Sequence, residues 1–355
     1  MSRVLPAEGD LRRVIGDGEK IPDGEVDGLA SDELLALYRN LVLLRTYDER
    51  SVVYHRQGRI GTYAIFWNHE ALQAGSVFAL EDRDWIFPAY RESAIGLLRG
   101  MPASTVLSWW RGHPAGWWNP TDYNLASICV PIATQIPHAV GFAWGSRLKG
   151  EDRIALTLFG DGATSEGAFH EGATFAGVMK APVVLLCNNN QWAISTPLSK
   201  QTAAPTLADK AIGYGMPGVR VDGGDVLAVY EATRDAALRA RAGDGPTFIE
   251  ALSYRAAPHA TADDPSLYID PVRVEAEREN ECVGRYERYL RRLGFISDAD
   301  VEEIKQEALD LMRAGIAQAE AEPPADPSLV FEHAYADPPP SQSNDLAELR
   351  RILGK

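Results

Sequence analysis

Long apolar runs are missing from this chain. No stretch of about 18 apolar residues occurs in its length, so no membrane-spanning helix is expected. Cysteine is scarce: only Cys129, Cys187 and Cys282 occur in 355 residues. Their spacing suits neither a metal cluster nor a disulfide framework, and a reducing cytoplasm is the expected home. Positive charge is short as well, with 35 Lys and Arg against 50 Asp and Glu, a net charge of -15. Such a surface repels nucleic-acid phosphates and anionic lipid, so neither is an expected partner. The N-terminus turns acidic within its first residues and has no apolar centre, so no secretory signal is expected. There is no Gly-x-x-x-x-Gly-Lys-Ser/Thr loop, and no Gly-x-Gly-x-x-Gly closes a strand. Nucleotide P-loops and dinucleotide folds are therefore unsupported.

What is present is enough apolar residue, 45% of the chain, for a sizeable core. Residues 1–30, rich in Gly, Pro and acids, read as an N-terminal arm. Residues 31–321 read as one α/β domain ending in charged helices, and 322–355 as a Pro-rich tail whose last dozen residues suit a small helix. Leu34, Leu35, Tyr38, Leu41 and Val42 repeat at helical spacing behind Ser31, a candidate N-cap. Helices are also expected over 70–80 and 91–99, and an aromatic loop over 109–120, where four Trp stand among Gly and Pro. In the centre, short apolar runs at 153–159, 182–187, 219–221 and 247–252 alternate with helical stretches at 166–179 and 226–241. That alternation predicts a parallel sheet with right-handed crossovers and helices on both faces. Two amphipathic helices follow, 272–293 and 298–320, with Gly294 stopping the first and Ser297 capping the second.

Two of the expected neighbouring strands end in Gly160-Asp161-Gly162 and Asn188-Asn189-Asn190. Ligands of open parallel sheets lie beyond the carboxyl ends of strands. A carboxylate and an amide oxygen meeting there are hard donors, suited to Mg²⁺ shared with phosphate oxygens. Glycines let the backbone approach, and the N-terminus of the following helix favours an anion. Each motif alone is ordinarily a turn. Both at adjacent strand ends, with one helix between, point to a metal-bridged diphosphate.

The Gly160-Asp161-Gly162 and Asn189-Asn190 pair resembles the thiamine-diphosphate motif at its usual spacing. Further stretches are similar, in order, to the α subunits of the pyruvate and branched-chain 2-oxo acid dehydrogenases. They are Arg56-Gln57-Gly58-Arg59-Ile60-Gly61, Tyr90-Arg91-Glu92, Ala133-Thr134-Gln135-Ile136-Pro137, Asn190-Gln191-Trp192-Ala193-Ile194-Ser195-Thr196-Pro197, Val221-Asp222-Gly223, and Tyr254-Arg255 with Pro258-His259. The resemblance spans roughly residues 35–275. It implies a thiamine-diphosphate-binding α/β fold and oxidative decarboxylation of a 2-oxo acid with acyl transfer to a lipoyl group. Pyruvate is favoured, on Pro258-His259 and the 175–182 run.

By position, the resemblance implies Mg²⁺ on the side chains of Asp161 and Asn190 and on the carbonyl of Trp192, where the family usually carries Tyr. Gly160, Gly162, Ala163 and Glu166 would line the diphosphate, Tyr90 and Arg91 would hold its oxygens, and Val130, Ile132 and Ile194 are further cofactor-contact positions. His259 is the expected catalytic residue for acyl transfer, on a polar, Pro-punctuated loop, with Arg255 supporting that loop or the phosphates. His69 and His138 are weaker candidates; His138 reads as a packed histidine. The carboxylate that activates the cofactor pyrimidine belongs in such enzymes to a separate β subunit. The implied assembly is α2β2, with a lipoyl-bearing acyltransferase as further partner. The Trp-rich 109–118 stretch suits either that interface or core packing.

Two departures stand out. Branched-chain relatives carry Ser-Ser-Pro, which can bind K⁺, where this chain has Cys129-Val130-Pro131. Mitochondrial members carry a regulatory Ser where Ala260 stands here. The rival readings are an acetoin dehydrogenase α subunit, sharing the same motifs, and a non-catalytic diphosphate-binding scaffold. A transketolase-like enzyme would need a longer chain holding both halves.

Overall fold

Val183-Val184-Leu185-Leu186-Cys187 is apolar at every position because the strand it builds is covered on both faces. The computed structural model describes residues 11–16, 28–332 and 335–354. Its central sheet has five parallel strands, β1 (Trp85–Phe87), β2 (Ala155–Gly160), β3 (Val183–Asn189), β4 (Gly218–Asp222) and β5 (Thr247–Leu252). Their order across the sheet is β1-β2-β3-β5-β4. The main helices are α1 (Ser31–Arg56), α2 (Glu70–Phe78), α3 (Ala103–Trp110), α4 (Gln135–Leu148), α5 (Gly167–Met179), α6 (Val226–Arg241), α7 (Cys282–Arg292) and α8 (Asp298–Ala321).

Alternate residues of the central strands feed two cores. Leu156, Leu158, Val184, Leu186 and Ile249 pack with α1, α2, α6 and the C-terminal helices. Ala155, Phe159, Val183, Leu185, Cys187 and Phe248 pack with α4 and α5. The expected α/β class, parallel sheet and helices on both faces are thus realised. Gly75 lets α2 and α6 touch; a Cβ there would come within 2.5 Å of the Val226 carbonyl oxygen. Among the described residues no helix is long and apolar enough to cross a membrane.

Several local expectations change. The first helix is preceded by Ala30, not capped by Ser31, and Glu33 accepts the Ala30 N–H at 2.9 Å. The 91–99 stretch forms only a 3-10 turn, Tyr90–Glu92, and one helical turn, Ile95–Leu98, ended by Gly100 at φ +80°. Trp109 and Trp110 belong to α3, and Trp110 packs edge-on to Tyr63 in the core, whereas Trp117 is exposed. The 272–293 stretch splits into Pro271–Glu279 and α7, because the Glu281 side chain caps a new start, accepting from Val283 and Gly284. Gly294 adopts φ +74° behind α7, and Ser297 caps α8 in a capping box with Asp300. The tail does form a helix, Pro340–Ile352.

Most of the N-terminal arm lies outside the described residues. Residues 11–16 do not hang free: Arg12 exchanges backbone bonds with β4, and the Val14 and Ile15 amides both donate to Asp225 at 2.7 Å. Val14 and Ile15 are buried, so this short piece belongs to the core.

Candidate active site

Because β2 and β3 pair in parallel with Gly160 opposite Asn188, the chain leaves both strands at the same sheet edge. Asp161 opens a 3-10 turn to Ser165, fixed by the Thr164 hydroxyl donating to the Asp161 carbonyl at 2.8 Å. Helix α5 then starts behind Glu166. The three asparagines of the second motif divide their work. Asn188 accepts from the Ser253 hydroxyl at 2.7 Å, and Asn189 donates to the buried Glu250 at 2.6 Å. Asn190 turns to the edge, its Oδ1 accepting the Trp192 N–H at 3.1 Å.

These strand ends open on a cavity of about 270 Å³. Of the expected site residues, Tyr90, Arg91, Ile132, Gly160, Asp161, Gly162, Ala163, Glu166, Asn190, Trp192, Ile194 and His259 all line it. Gly162 has a packing reason to be glycine, since a Cβ would sit 2.8 Å from the Ala193 Cβ. The backbone here is unusual: Ala133, Gln191 and Ile194 hold φ of +66°, +70° and +53°. For a β-branched residue such as Ile194 that conformation is an outlier, held only when the surroundings enforce it.

Arg255 supplies the enforcement. It is 1% exposed and stands behind the cavity rather than in its lining. Its guanidinium donates to the carbonyls of Trp192 (3.3 Å), Ile194 (2.5 Å) and Ala257 (3.3 Å), and to the Tyr268 hydroxyl at 3.1 Å. These bonds fasten the 192–194 turn to the 255–268 loop.

His259 sits on that loop. Arg91 Nη2 lies 3.0 Å from its Nδ1 and donates to its carbonyl at 3.1 Å; Tyr90 Oη lies 3.3 Å from its Nε2. A guanidinium only donates, so Nδ1 accepts and the ring proton is on Nε2. Burial, with Arg91 and Arg255, pushes the imidazole down to about 4. Asp263 accepts the His259 N–H at 2.8 Å, and the Tyr268 hydroxyl also donates to Asp263.

Asp161 is the cavity's most telling carboxylate. Gln201 donates to Oδ2 at 2.7 Å, whereas Oδ1 is buried with no partner among the described residues. Burial raises its pKa to about 6, despite the Gln201 bond. A buried carboxylate oxygen left bare, on a residue of the same cavity wall as Asn190 and Trp192, belongs to a fitting donor set for a hard cation.

Some placements differ from expectation. Val130 is 58% exposed and is not part of the cavity wall. His138 is exposed on α4, not packed, and His69 is fully buried outside the cavity. The sequence reading missed Gln201, Gln135 and Glu92 as site residues. Glu92 was visible only as the third residue of a motif; it lines the cavity, and burial raises its carboxyl to about 7 against the pull of Arg91. Gln135 donates to the Leu158 carbonyl at 2.9 Å, and its buried Oε1 has no partner among the described residues.

Known proteins of matching sequence are consistent among themselves. The family described as dehydrogenase E1 component matches residues 38–328. A 3-methyl-2-oxobutanoate dehydrogenase subunit alpha of Mycobacterium tuberculosis is 43% identical over 330 residues, 92% of this chain and 89% of that one. A 2-oxoisovalerate dehydrogenase subunit alpha of Bacillus subtilis is 38% identical, across 87% of this chain and 97% of its own. A pyruvate dehydrogenase E1 component subunit alpha of Staphylococcus aureus is 38% identical, across 99% and 98%.

Proposed function

This chain belongs to the dehydrogenase E1 component family, and on that premise we propose how its cavity serves the reaction. The chain is the α subunit of a thiamine-diphosphate-dependent 2-oxo acid dehydrogenase, the component that carries out the decarboxylation. The bound cofactor supplies a nucleophilic carbon and an electron sink for decarboxylation.

In our reading, Asp161, Asn190 and the Trp192 carbonyl hold Mg²⁺, and Gly160, Gly162, Ala163 and Glu166 surround the diphosphate. The observation that carries this is the bare Oδ1 of buried Asp161, a residue of the same cavity wall as Asn190 and Trp192. Cys129 and Val130 offer no hydroxyl donors to K⁺, so the proposed cation is Mg²⁺ alone. Arg91 and Tyr90 hold His259 with its Nε2–H fixed and position it at the rim for acyl transfer to a lipoyl group. Ile132 and Ile194 line the cavity yet remain 46% and 55% exposed. Apolar residues left wet at a site favour cover by a partner, here the β subunit of an α2β2 assembly. The three free cysteines fit a cytoplasmic setting. Identity does not separate branched-chain acids from pyruvate, at 43% and 38% against 38%. We therefore assign a small 2-oxo acid and give no preference to pyruvate.

The test is calorimetric titration of thiamine diphosphate into the α/β enzyme with and without Mg²⁺, for wild type and Asp161→Ala. Loss of the Mg²⁺-dependent binding in the variant is expected. Equal binding in both would remove the metal assignment. Turnover of pyruvate, 2-oxobutyrate, 2-oxoisovalerate and acetoin with an artificial electron acceptor then ranks the substrates. No turnover with any of them would favour the scaffold reading.

A further inference from the structure

A short strap, residues 63–66, contributes nothing to the cavity wall but bonds to Asp48 of α1 on one side and to Arg91 and Thr261 on the other. We propose that Asp48, buried on α1, is a positioning residue for the active site and acts through this strap. The inference rests on the reading of His259 and Arg91 as site residues.

The geometry is specific. Asp48 Oδ1 accepts the Tyr63 hydroxyl at 2.8 Å and the Phe66 N–H at 2.9 Å, bracing both ends of the strap. Between those ends, the Ile65 carbonyl accepts from Arg91 Nη1. At the near end, Tyr63 pairs in both directions with Thr261: its N–H donates to the Thr261 hydroxyl at 3.1 Å, and its carbonyl accepts the Thr261 N–H at 2.9 Å. Thr261 is two residues beyond His259. One carboxylate thus braces the stretch of chain to which both members of the Arg91–His259 pair are tied.

A packing role alone does not account for an acid at this place. Asp48 is 2% exposed among aromatics, with Tyr47 and Phe66 stacked at 6.2 Å and Tyr63 edge-on to Trp110 at 5.0 Å. A buried carboxyl costs free energy that an apolar side chain would avoid. Glu70 adds repulsion, only partly offset by Arg45, which is itself paired with Glu70 and Glu281. What the acid supplies, and no apolar residue can, is an acceptor for two donors on one strap.

The experiment compares Asp48→Asn, Asp48→Leu and Asp48→Ala in the assembled α/β enzyme loaded with Mg²⁺ and thiamine diphosphate. Readouts are kcat, KM for the 2-oxo acid, cofactor affinity, thermal midpoint and the rate of proteolytic nicking in the 255–268 loop. Asn retains the acceptor oxygen and should keep kcat and cofactor affinity within about threefold of wild type. Leu fills the volume without accepting; its thermal midpoint should fall less than that of Ala, since it leaves two donors unpaired but no cavity, yet it should lose about 10- to 100-fold in kcat/KM and be nicked faster, as for a site displaced by about an ångström. Ala should lose both stability and activity. A Leu variant with wild-type kinetics, cofactor affinity and nicking would overturn the proposal, as would an Asn variant as impaired as Leu. His259→Ala, run alongside, separates the two levels. If it leaves acyl transfer unchanged, the site reading itself has failed, whatever the Asp48 variants do.

Discussion

Arg91 grips His259 twice, through Nδ1 at 3.0 Å and through the carbonyl of the same residue at 3.1 Å. The double contact fixes the ring's tautomer and its distance from the cavity at once. Arginine suits the task because its charge is permanent and its donors are forked. Burial first, and then the charge of Arg91, keep this histidine neutral where ordinary histidines charge. Its depressed pKa means the folded protein holds fewer protons on this group than the unfolded chain. The stabilising contribution is complete above about 6.5 and is lost as pH falls towards about 4. Carbethoxylation of His259, followed by peptide mass spectrometry, should proceed at a constant rate between about pH 5.5 and 7.5. In Arg91→Gln the midpoint should rise. A wild-type midpoint near 6.5 would show that neither the burial nor the grip holds, and an unmoved midpoint in Arg91→Gln that the grip adds nothing.

Arg255 reaches four partners from one guanidinium, and two of them are carbonyls of the turn that carries the proposed metal ligand and the strained Ile194. Lysine cannot reproduce that fork. Arg255→Lys should weaken Mg²⁺-dependent cofactor binding by about 10- to 100-fold, the usual loss when a supporting partner of a ligand is removed. Since the guanidinium is outside the cavity, KM for the 2-oxo acid measured at saturating cofactor should move little. A variant whose cofactor affinity matches wild type would mean that the turn holds itself.

The strand-end chemistry was legible in the sequence because it is local: an apolar run long enough for one strand, then small or polar residues where the chain leaves the sheet. Asp161 and Asn190 could be placed together because parallel pairing of successive strands is the common outcome. Residues supplied across the fold were not legible. Gln201 is forty positions from the Asp161 it contacts, and Asp48 reaches the strap from a helix that reads as ordinary amphipathic α1. Val130 stands outside the cavity wall for a related reason: its position in a motif does not say on which side of the chain its side chain emerges. The Glu281 break was hidden because an acid within a charged helical stretch looks the same whether it caps or continues the helix.

Two buried carboxyls give the fold a pH dependence of the opposite sign to that of His259. Burial pushes Asp48 and Glu92 up to about 7. Each is more protonated folded than unfolded, so the stability it lends is present below about 4 and is lost as pH rises through about 7. Between pH 6.5 and 8 His259 adds only the last part of its contribution, and with the opposite sign, so a fall in stability over that range belongs to the carboxyls. Urea unfolding of the cofactor-free α/β enzyme should show a lower midpoint at pH 8 than at 6.5. Asp48→Asn and Glu92→Gln should each flatten the difference. An unchanged slope in both variants would assign the pH dependence to other groups.

Gly162 offers a prediction that carries its own control. Its missing Cβ leaves room for Ala193, whose Cβ would otherwise be 2.8 Å away. The collision would push the 192–194 turn away from Asp161 and separate the proposed metal donors. Overpacking of this kind costs about 1–3 kcal/mol, roughly 5- to 150-fold when expressed in a binding constant. Gly162→Ala should therefore weaken thiamine diphosphate binding in the presence of Mg²⁺ by an amount in that range. Ala193→Gly alone should have a small effect, since it only removes a methyl group at the cavity wall. The double variant should bind the cofactor nearly as well as wild type, because the added methyl then occupies the space the other vacated. If the double variant stays as weak as Gly162→Ala, the glycine serves the backbone of the turn or the close approach of the diphosphate, and contact with Ala193 is not the reason for it.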